Sequence, residues 1–174
     1  MPRLIKDGAI VEDVWTLLRE APRLDDVPAD VPAIVPFAMW REHKETLAAR
    51  GSVGVWLGPA DDPEALRDDL AALAIIAVDF PQFTDGRGYS SARLLREKLG
   101  YTGELRAIGD VLRDQLYYLR ACGFNAFALR ADRDLDVALT AFADFSDNYQ
   151  STVEHPLPLF RRRGTTAVPL KPSP

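Results

Sequence analysis

The side chains best suited to chemistry lie in one stretch of the sequence, which begins at Asp79 and ends at Asp110. Asp79 follows the apolar run AIIAV, which predicts a carboxylate at the end of a buried strand. Such a carboxylate is the best candidate in this chain for a general base, but an aspartate at this position also commonly caps the loop that follows. The sequence leaves both interpretations of Asp79 open.

The segment DGRGYSS (85–91) follows the same predicted strand and is a candidate site for an anion or a partner protein. Glycines on both sides of Arg87 permit positive φ angles and a close backbone approach, and the serines fall where a helix opens with free N–H groups. The segment lacks the GxGxxG and GxxxxGK[ST] spacings of dinucleotide and P-loop sites. The candidate residues of this loop are Asp85, Gly86, Arg87, Gly88, Tyr89 and Ser90.

Three more arginines, together with Asp110, complete the candidate site. Arg93 and Arg96 lie three residues apart on a predicted helix and therefore share a face, and Arg106 would join Arg87 if the loop folds back. Guanidinium groups suit bidentate capture of carboxylate, sulfate or phosphate. The alternative is that these arginines form ion pairs with the neighbouring acidic residues, as structural networks also do.

The other reactive residue types are scattered. Cys122 is the only cysteine, so an intramolecular disulfide is excluded, and we interpret it as a small buried hydrophobe. His43 and His155 are far apart, which argues against a metal site or a catalytic triad built by this chain alone. Tyr117 and Tyr118 flank a predicted helix interface, and we interpret them as core or rim residues. We therefore expect no resident metal or cofactor.

Composition and charge indicate one globular core with an acidic body. The chain has 174 residues, is 47% hydrophobic and has a net charge of −5, of which residues 151–174 contribute +3, so that residues 1–150 carry −8. An acidic surface repels the phosphate backbone, which argues against nucleic acid as a partner. No apolar run approaches the ~18 residues of a membrane span, and the first residues lack the regions of a signal peptide. We expect a cytoplasmic protein without membrane association.

The elements that must position the candidate site alternate along the chain. Asp7-Gly8 predicts a β-hairpin within residues 4–15, the proline-rich stretch 21–32 predicts a loop, and the rest predicts five strand–helix units. Strict alternation is typical of right-handed crossovers and a mostly parallel sheet flanked by helices. We predict an open α/β fold, with a partial (βα) barrel as the alternative. The predicted strands are 33–40, 52–59, 74–81, 105–109 and 124–130; the predicted helices are 40–50, one opening at Asp62-Pro63, 90–99, one capped by Asp110, and 131–149.

The chain is predicted to divide into a single α/β domain, residues 1–150, and a tail. Residues 151–174 are rich in proline and show no apolar period, so we expect them to form a mobile segment. In an open α/β sheet, ligands bind outside the carboxyl ends of the strands. This rule would place Asp79, the DGRG loop and Asp110 at one edge of the domain.

The segment FTDGRGYSSARLLREKLGYTGELRAIGDVLRDQLYYLRACGFNAF resembles a bacterial family of unknown biochemical function that is encoded beside sulfite reductase. The combination of DGRGYS, GELRA and GDVL with DQ carries the resemblance. Proteins of this family are often labelled oxidoreductases involved in sulfite reduction. The resemblance implies a role in converting sulfite to sulfide for cysteine synthesis, with the sulfite reductase haemoprotein as partner.

The residues qualify that implication. Six-electron reduction of sulfite needs a redox cofactor, and this sequence shows no motif for flavin, nicotinamide, haem or an iron–sulfur cluster. We therefore expect an accessory or electron-delivery partner that docks on the haemoprotein. The alternative is a small-molecule lyase or isomerase that uses Asp79 and an arginine-lined anion pocket. A deep pocket lined by Asp79, Arg87 and Arg106 would favour the enzyme, and an exposed DGRG surface would favour docking.

Overall fold

The computed structural model describes residues 2–20, 23–144 and 150–163. In these ranges eight strands form one sheet, which is curled into a half barrel and flanked by helices. The order of strands across the sheet is β2-β1-β8-β7-β6-β5-β4-β3. The strands are β1 (Arg3–Lys6), β2 (Ala9–Glu12), β3 (Thr16–Leu17), β4 (Ala33–Pro36), β5 (Val53–Leu57), β6 (Ile75–Phe80), β7 (Glu104–Gly109) and β8 (Ala126–Phe127).

Strands β3 to β8 are parallel and lie side by side in chain order. Each parallel strand is connected to its neighbour by a right-handed crossover, and every crossover leads to the next strand in the same direction. All connections between these strands therefore lie on one face of the sheet. We call this the helix-covered face and the opposite one the inner face. The structure thus confirms the predicted parallel sheet and its partial-barrel alternative. The helices in the described ranges are α1 (Phe37–Ala49), α2 (Arg87–Arg93), α3 (Leu116–Ala121), α4 (Leu135–Leu139) and α5 (Leu159–Arg163), with a π-helical turn at Leu94–Lys98 and 3₁₀ turns between.

The predicted N-terminal hairpin is present. Asp7 and Gly8 both have positive φ angles, 49° and 80°, which is the geometry of the tight turn that best matches the twist of two antiparallel strands. Strand β1 also pairs antiparallel with β8, so the hairpin extends the parallel sheet at one edge.

Apolar side chains on the two faces of the sheet form two separate cores. On the helix-covered face, strand residues such as Val55, Val78 and Phe80 belong to the main core together with Trp40 and Leu47 of α1. On the inner face a smaller cluster is formed by Ile34, Ile75, Ala77 and Ile108, against which Trp15, Leu17 and Trp56 pack. The inner face is therefore filled by side chains that come partly from the N-terminal segment.

Residues Asp13–Trp15 connect the two edge strands of the sheet, β2 and β3. A flat sheet of eight strands would separate its edges by about 34 Å, at ~4.8 Å between neighbours. The chain from the end of β2 to the start of β3 spans at most about 14 Å. The sheet must therefore curl, and the connection crosses its inner face. We name Asp13–Arg19 the crossing segment.

Three polar contacts anchor the crossing segment to the sheet. Asp13 forms an ion pair with Arg106 of β7, with 2.9 Å between Oδ2 and Nη1. Arg19 forms an ion pair with Asp79 of β6 at 2.7 Å. The indole N–H of Trp56 donates to the carbonyl oxygen of Leu18 at 2.9 Å. These contacts join the first residues of the chain to the centre of the sheet.

Several predicted boundaries differ from the structure. Helix α1 begins at Phe37, so the end of the strand predicted at 33–40 is helical, and the segment after Pro63 forms a 3₁₀ turn with Asp62 as its cap. Thr16–Leu17 was not predicted as a strand, since a two-residue strand leaves no periodic pattern in the sequence. The helix predicted at 90–99 begins at Arg87.

The prediction that Asp110 caps the following helix was wrong. Gly109 turns the chain at a φ angle of 97°, and a 3₁₀ turn, Arg113–Gln115, precedes helix α3. The strand predicted at 124–130 shortens to Ala126–Phe127. The helix predicted at 131–149 is also shorter in the described residues, because the carboxylate of Asp134 accepts the N–H groups of Asp136 and Val137 and so fixes the start of α4. Residues 145–149 lie outside the described ranges.

Part of the predicted tail is described. Thr152 is buried, and the N–H of Val153 donates to the carbonyl oxygen of Ala121 at the end of α3. Residues 164–174 lie outside the described ranges, and the division into domain and tail stays a prediction. Among the described residues, no helix is both long and apolar enough to cross a membrane.

The contact between Asp13 and Arg106 generates a stability prediction. Arg106→Met should destabilise the fold by about 3 kcal/mol, because it leaves the carboxylates of Asp13 and Glu104 buried without their shared cation. Urea unfolding followed by circular dichroism measures this change. Arg67→Met is the matched control, since Arg67 forms an exposed pair with Glu64 and its removal should have no measurable effect. Equal stability of the two variants would show that the buried pair does not hold the crossing segment.

Candidate functional site

Asp79 lies on the inner face of the sheet near the carboxyl end of β6 and is 8% exposed. Its Oδ1 accepts a hydrogen bond from Nη1 of Arg19, which lies just after β3. A β-carbon built on Gly109, at the end of the adjacent strand, would lie 2.6 Å from this carboxylate oxygen, so only glycine leaves room there. The structure therefore places Asp79 in an ion pair that holds the crossing segment.

The side chain of Arg87 turns back onto the loop from which it projects. Its Nε and Nη2 donate to the two carboxylate oxygens of Asp85 at 3.0 and 2.6 Å, and its backbone N–H donates to Oδ1 at 3.1 Å. These bonds and the positive charge of Arg87 hold the pKa of the Asp85 carboxyl below its usual value. The Arg87 side chain is nevertheless 63% exposed, and the pair faces solvent at the start of α2.

The two glycines of the DGRG loop have different roles, and neither has a positive φ angle. Gly86 has open space around it, with φ at −81°. Gly88 lies against the ring of Phe80, and a β-carbon there would approach the ring to 2.5 Å. The sequence predicted that Gly88 allows the backbone to come close to a neighbouring group. In the structure that neighbour is Phe80 of the core, and not a ligand.

Tyr89 connects the loop to helix α3. Its ring packs edge-on against Phe80 and lies 5.0 Å from the ring of Tyr118, and its hydroxyl accepts from Nε2 of Gln115. Burial raises the pKa of the Tyr89 hydroxyl. The same Gln115 amide donates to the carbonyl oxygen of Phe83, so one side chain links both sides of this surface.

Ser90 and Ser91 do not open helix α2, since the helix begins at Arg87. Ser90 is exposed, and the hydroxyl of Ser91 donates to the carbonyl oxygen of Arg87. Their backbone N–H groups therefore lie inside the helix and not at its free end.

Asp110 lies at the same edge as the loop. Its carboxylate accepts the N–H of Phe83 at 3.2 Å and forms an ion pair with Arg130 at 3.2 Å. Arg130 also pairs with Asp132. Asp110 therefore fixes the loop after β6 to the end of β7, which is the cap-like role that aspartate commonly has after a strand.

The remaining three arginines do not converge on Arg87. Arg93 lies on the same helix and contacts Glu97 and the carbonyl oxygen of Ser151. Arg106 is buried on the inner face between Glu104 and Asp13. The alternative interpretation as structural ion pairs therefore describes the contacts of Arg87, Arg93 and Arg106.

Arg96 differs because its hydrogen bonds go to oxygens without formal charge. Its guanidinium donates to the carbonyl oxygens of Tyr101, Gly103 and Gly123 and to the amide of Asn125. These residues precede β7 and β8, so Arg96 lies at the amino edge, opposite the DGRG loop. Burial lowers the pKa of the Arg96 guanidinium.

Cys122 is buried, as its sequence context predicted. Burial raises the pKa of its thiol, and the thiolate is the reactive form. His43 lies on α1 and His155 lies in the segment after α4. Within the described part of the chain, no three histidine, cysteine or acidic side chains form a group that could hold a metal ion.

The structure adds three residues to the candidate site that the sequence did not assign to it, although Tyr118 had been interpreted as a core or rim residue. Phe83 and Tyr118 expose 55% and 58% of their surfaces, and both lie beside Tyr89 and Gln115. Arg130 joins this surface through Asp110. The exposure of Phe83 leaves no pattern in the sequence beyond its place two positions before the turn-forming pair Asp85-Gly86. We name the four exposed residues Phe83, Arg87, Tyr118 and Arg130 the edge surface.

Three cavities formed by described residues, of about 290, 460 and 570 Å³, are lined by neither Asp79 nor Arg87. The edge surface is exposed to solvent, and hydrogen bonds fix the loops from which it projects. Its residue types suit contact with another macromolecule, because aromatic side chains and arginine are enriched in the centres of protein interfaces.

Comparison with known proteins identifies a family. A family model described as a bacterial protein of unknown function (DUF934) matches residues 54–160, which include the edge surface. Neither the curated proteins nor the solved structures contain a match to this chain.

The different surroundings of the two loop glycines generate a prediction. Gly88→Ala should destabilise the fold by about 1–3 kcal/mol, because the added methyl overlaps the Phe80 ring. Gly86→Ala is the matched control and should change stability by less than ~0.5 kcal/mol, because its φ is accessible to alanine and the space is open. Chemical denaturation of both variants checks this. A stable Gly88→Ala variant would mean that Gly88 is not needed for packing.

Proposed function

Because this chain belongs to the bacterial DUF934 family, whose function is unknown, we propose a function that combines the resemblance in its sequence with its edge surface. We propose that the protein is an accessory or electron-delivery partner of the sulfite reductase haemoprotein in the reduction of sulfite to sulfide for cysteine synthesis. The proposed role places the protein in the cytoplasm. The redox chemistry is assigned to centres outside this chain.

The observation that carries the proposal is the exposure of the edge surface. Arg87 and the aromatic residues Phe83 and Tyr118 project from loops and helices whose backbones are fixed. Exposed aromatic side chains on a rigid support lose little conformational entropy when a partner covers them. Tyrosine and arginine are among the residue types enriched in the energetic centres of interfaces.

The support behind the edge surface is a continuous set of contacts. Arg130 binds Asp110, Asp110 accepts the N–H of Phe83, and Gln115 donates to the carbonyl oxygen of Phe83 and to Tyr89. The ring of Tyr89 then packs on Tyr118. A surface connected in this way is pre-organised, which favours rigid docking on a partner.

The second candidate is a lyase or isomerase that uses Asp79 as general base with an arginine-lined anion pocket. The observation that favours it is the burial of a carboxylate at the carboxyl end of a central parallel strand, where α/β enzymes place catalytic groups. It has less support, because Arg87 and Arg106 contact other carboxylates and Asp79 is paired with Arg19. An exposed DGRG loop is the arrangement expected for docking.

The direct test is co-purification. We expect the affinity-tagged chain to retain the sulfite reductase haemoprotein of the same bacterium, and the purified haemoprotein to reduce sulfite faster with its cellular electron donors when this chain is added. The assay follows sulfide formation with and without the chain. If the haemoprotein neither binds the chain nor responds to it, the proposal is wrong.

A substitution in the edge surface separates binding from folding. Arg87→Ala should weaken binding to the haemoprotein at least tenfold, because it removes a central exposed cation of the interface. The unfolding midpoint should move by no more than about 2 °C, as is usual for an exposed position. Arg67→Ala is the matched control, an arginine of similar exposure that pairs with Glu64 away from the edge surface.

The same two variants can be compared in cells. A strain that carries Arg87→Ala should grow poorly on sulfate without added cysteine, and a strain that carries Arg67→Ala should grow normally. Normal growth of the Arg87→Ala strain would contradict a working role for the loop. Poor growth explained by unfolded protein would show instead that Arg87 is a structural ion-pair residue.

A further inference from the structure

The inner face of the sheet contains a cavity that the proposed function does not use. The cavity has a volume of about 460 Å³, within the usual range for small-molecule sites. Lys6, Val11, Asp13, Trp15, Glu104 and Arg106 are among the residues that line it. It lies where the crossing segment meets the hairpin, on the opposite face from the helices, and none of the four edge-surface residues lines it.

One side of the cavity holds four charges of alternating sign. Lys6 forms an ion pair with Oε2 of Glu104 at 2.8 Å, and Arg106 forms ion pairs with Oε1 of Glu104 at 2.7 Å and with Asp13 at 2.9 Å. The side chains of Arg106 and Glu104 are only 4% and 7% exposed. These four charges cancel one another. The two other charged residues of the lining, Asp7 and Glu12, are exposed to solvent, and the carboxylate of Asp7 accepts a hydrogen bond from Asn125. A ligand with a net charge would therefore leave that charge without a balancing partner on the partly buried side of the cavity.

Both the positive and the negative groups of this cavity can form further hydrogen bonds with a ligand. Lys6 is 41% exposed, and an ammonium group has three N–H donors, of which the pair with Glu104 occupies one. Each carboxylate oxygen has two lone pairs, so Asp13 and Glu104 can accept further hydrogen bonds from a ligand ammonium group. One cavity can therefore bind both an anionic and a cationic group of the same ligand.

The other walls are apolar. Leu4 and Val11 of the hairpin and the indole of Trp15 line the cavity together with the charged group. An apolar wall opposite a pair of charges is the arrangement of sites that bind a small ligand by its polar end and enclose its hydrocarbon end. The size and polarity of this cavity match a small molecule with both features.

We propose that this cavity binds a free α-amino acid with an apolar side chain. The ligand carboxylate binds Lys6, the ammonium group binds the carboxylates of Asp13 and Glu104, and the side chain packs on Trp15 and Val11. Because Asp13 belongs to the crossing segment, an occupied site stabilises the contact between that segment and the sheet. The proposal is independent of docking on sulfite reductase, and its test needs no second protein.

The test is a thermal-unfolding titration of the full chain with L-leucine, L-methionine and L-phenylalanine. At least one of them should raise the unfolding midpoint by ~2 °C or more in a concentration-dependent way, because a ligand that binds only the folded state stabilises it. Two derivatives of the same amino acid serve as controls. The N-acetyl amino acid lacks the ammonium group, and the amino-acid amide lacks the carboxylate. Each derivative should bind at least tenfold more weakly, as measured by calorimetry. Absence of binding by all three amino acids, or equal binding of the derivatives, overturns the proposal.

Two variants locate the site. Lys6→Met keeps the aliphatic part of the side chain and removes the ammonium group that binds the ligand carboxylate. The affinity for the amino acid should therefore fall at least tenfold. Arg3→Met removes one positive charge from the same strand on the other face of the sheet and should leave affinity unchanged. Ala9→Trp fills the cavity from an exposed position opposite Lys6 and should abolish binding, which keeps the test decisive if Lys6→Met does not fold. Normal binding by Ala9→Trp would place the amino acid elsewhere and overturn the assignment.

Discussion

The ion pair between Asp13 and Arg106 joins two residues that are 93 positions apart, and the shape of the sheet depends on the connection that it holds. Three residues link the edge strands β2 and β3, so the sheet has to curl and the link has to cross its inner face. Arg106 projects from the middle of β7 and fixes the start of the crossing segment, while Asp79 fixes its end through Arg19. A buried ion pair contributes little net stability compared with apolar packing, but it is costly to break, which suits it to fix a chain path.

The curl divides the chemistry of the molecule between two places. The inner face has an open, charged cavity, whereas the carboxyl edge presents aromatic and basic side chains to solvent. The candidate arginines are divided in the same way: Arg106 faces inwards, Arg87 faces outwards and Arg96 lies at the amino edge. A single anion pocket built from all of them is therefore not formed, and each arginine is explained by its own partners.

Docking on a partner protein and binding of an amino acid would use different parts of the molecule. The edge surface rests on contacts between α2, α3 and the ends of β6 and β7, and the cavity rests on the hairpin and the crossing segment. If both proposals hold, the chain would carry a partner surface at the carboxyl edge of the sheet and a metabolite site on its inner face. Coupling between them would pass through β7, because Glu104 and Arg106 of this strand line the cavity and Asp110, which follows the strand, holds the loop of Phe83.

Local structure could be predicted from residue types alone. The Asp7-Gly8 turn, the Asp62-Pro63 cap and the glycine after α1 all act within a few residues, so their types were sufficient to predict the hairpin and the strand–helix alternation. The pattern of strands also identified Asp79, Arg87 and Asp110 as residues near one edge, since parallel strands end at the same side. Contacts between residues that lie far apart in the sequence, in contrast, are known from the folded chain alone. Asp13 meets Arg106, Arg96 meets the carbonyl oxygens before β7, and Gly88 meets Phe80 because the sheet curls and the helices pack on one face. Such contacts depend on the closure of long chain loops, for which no short sequence pattern exists.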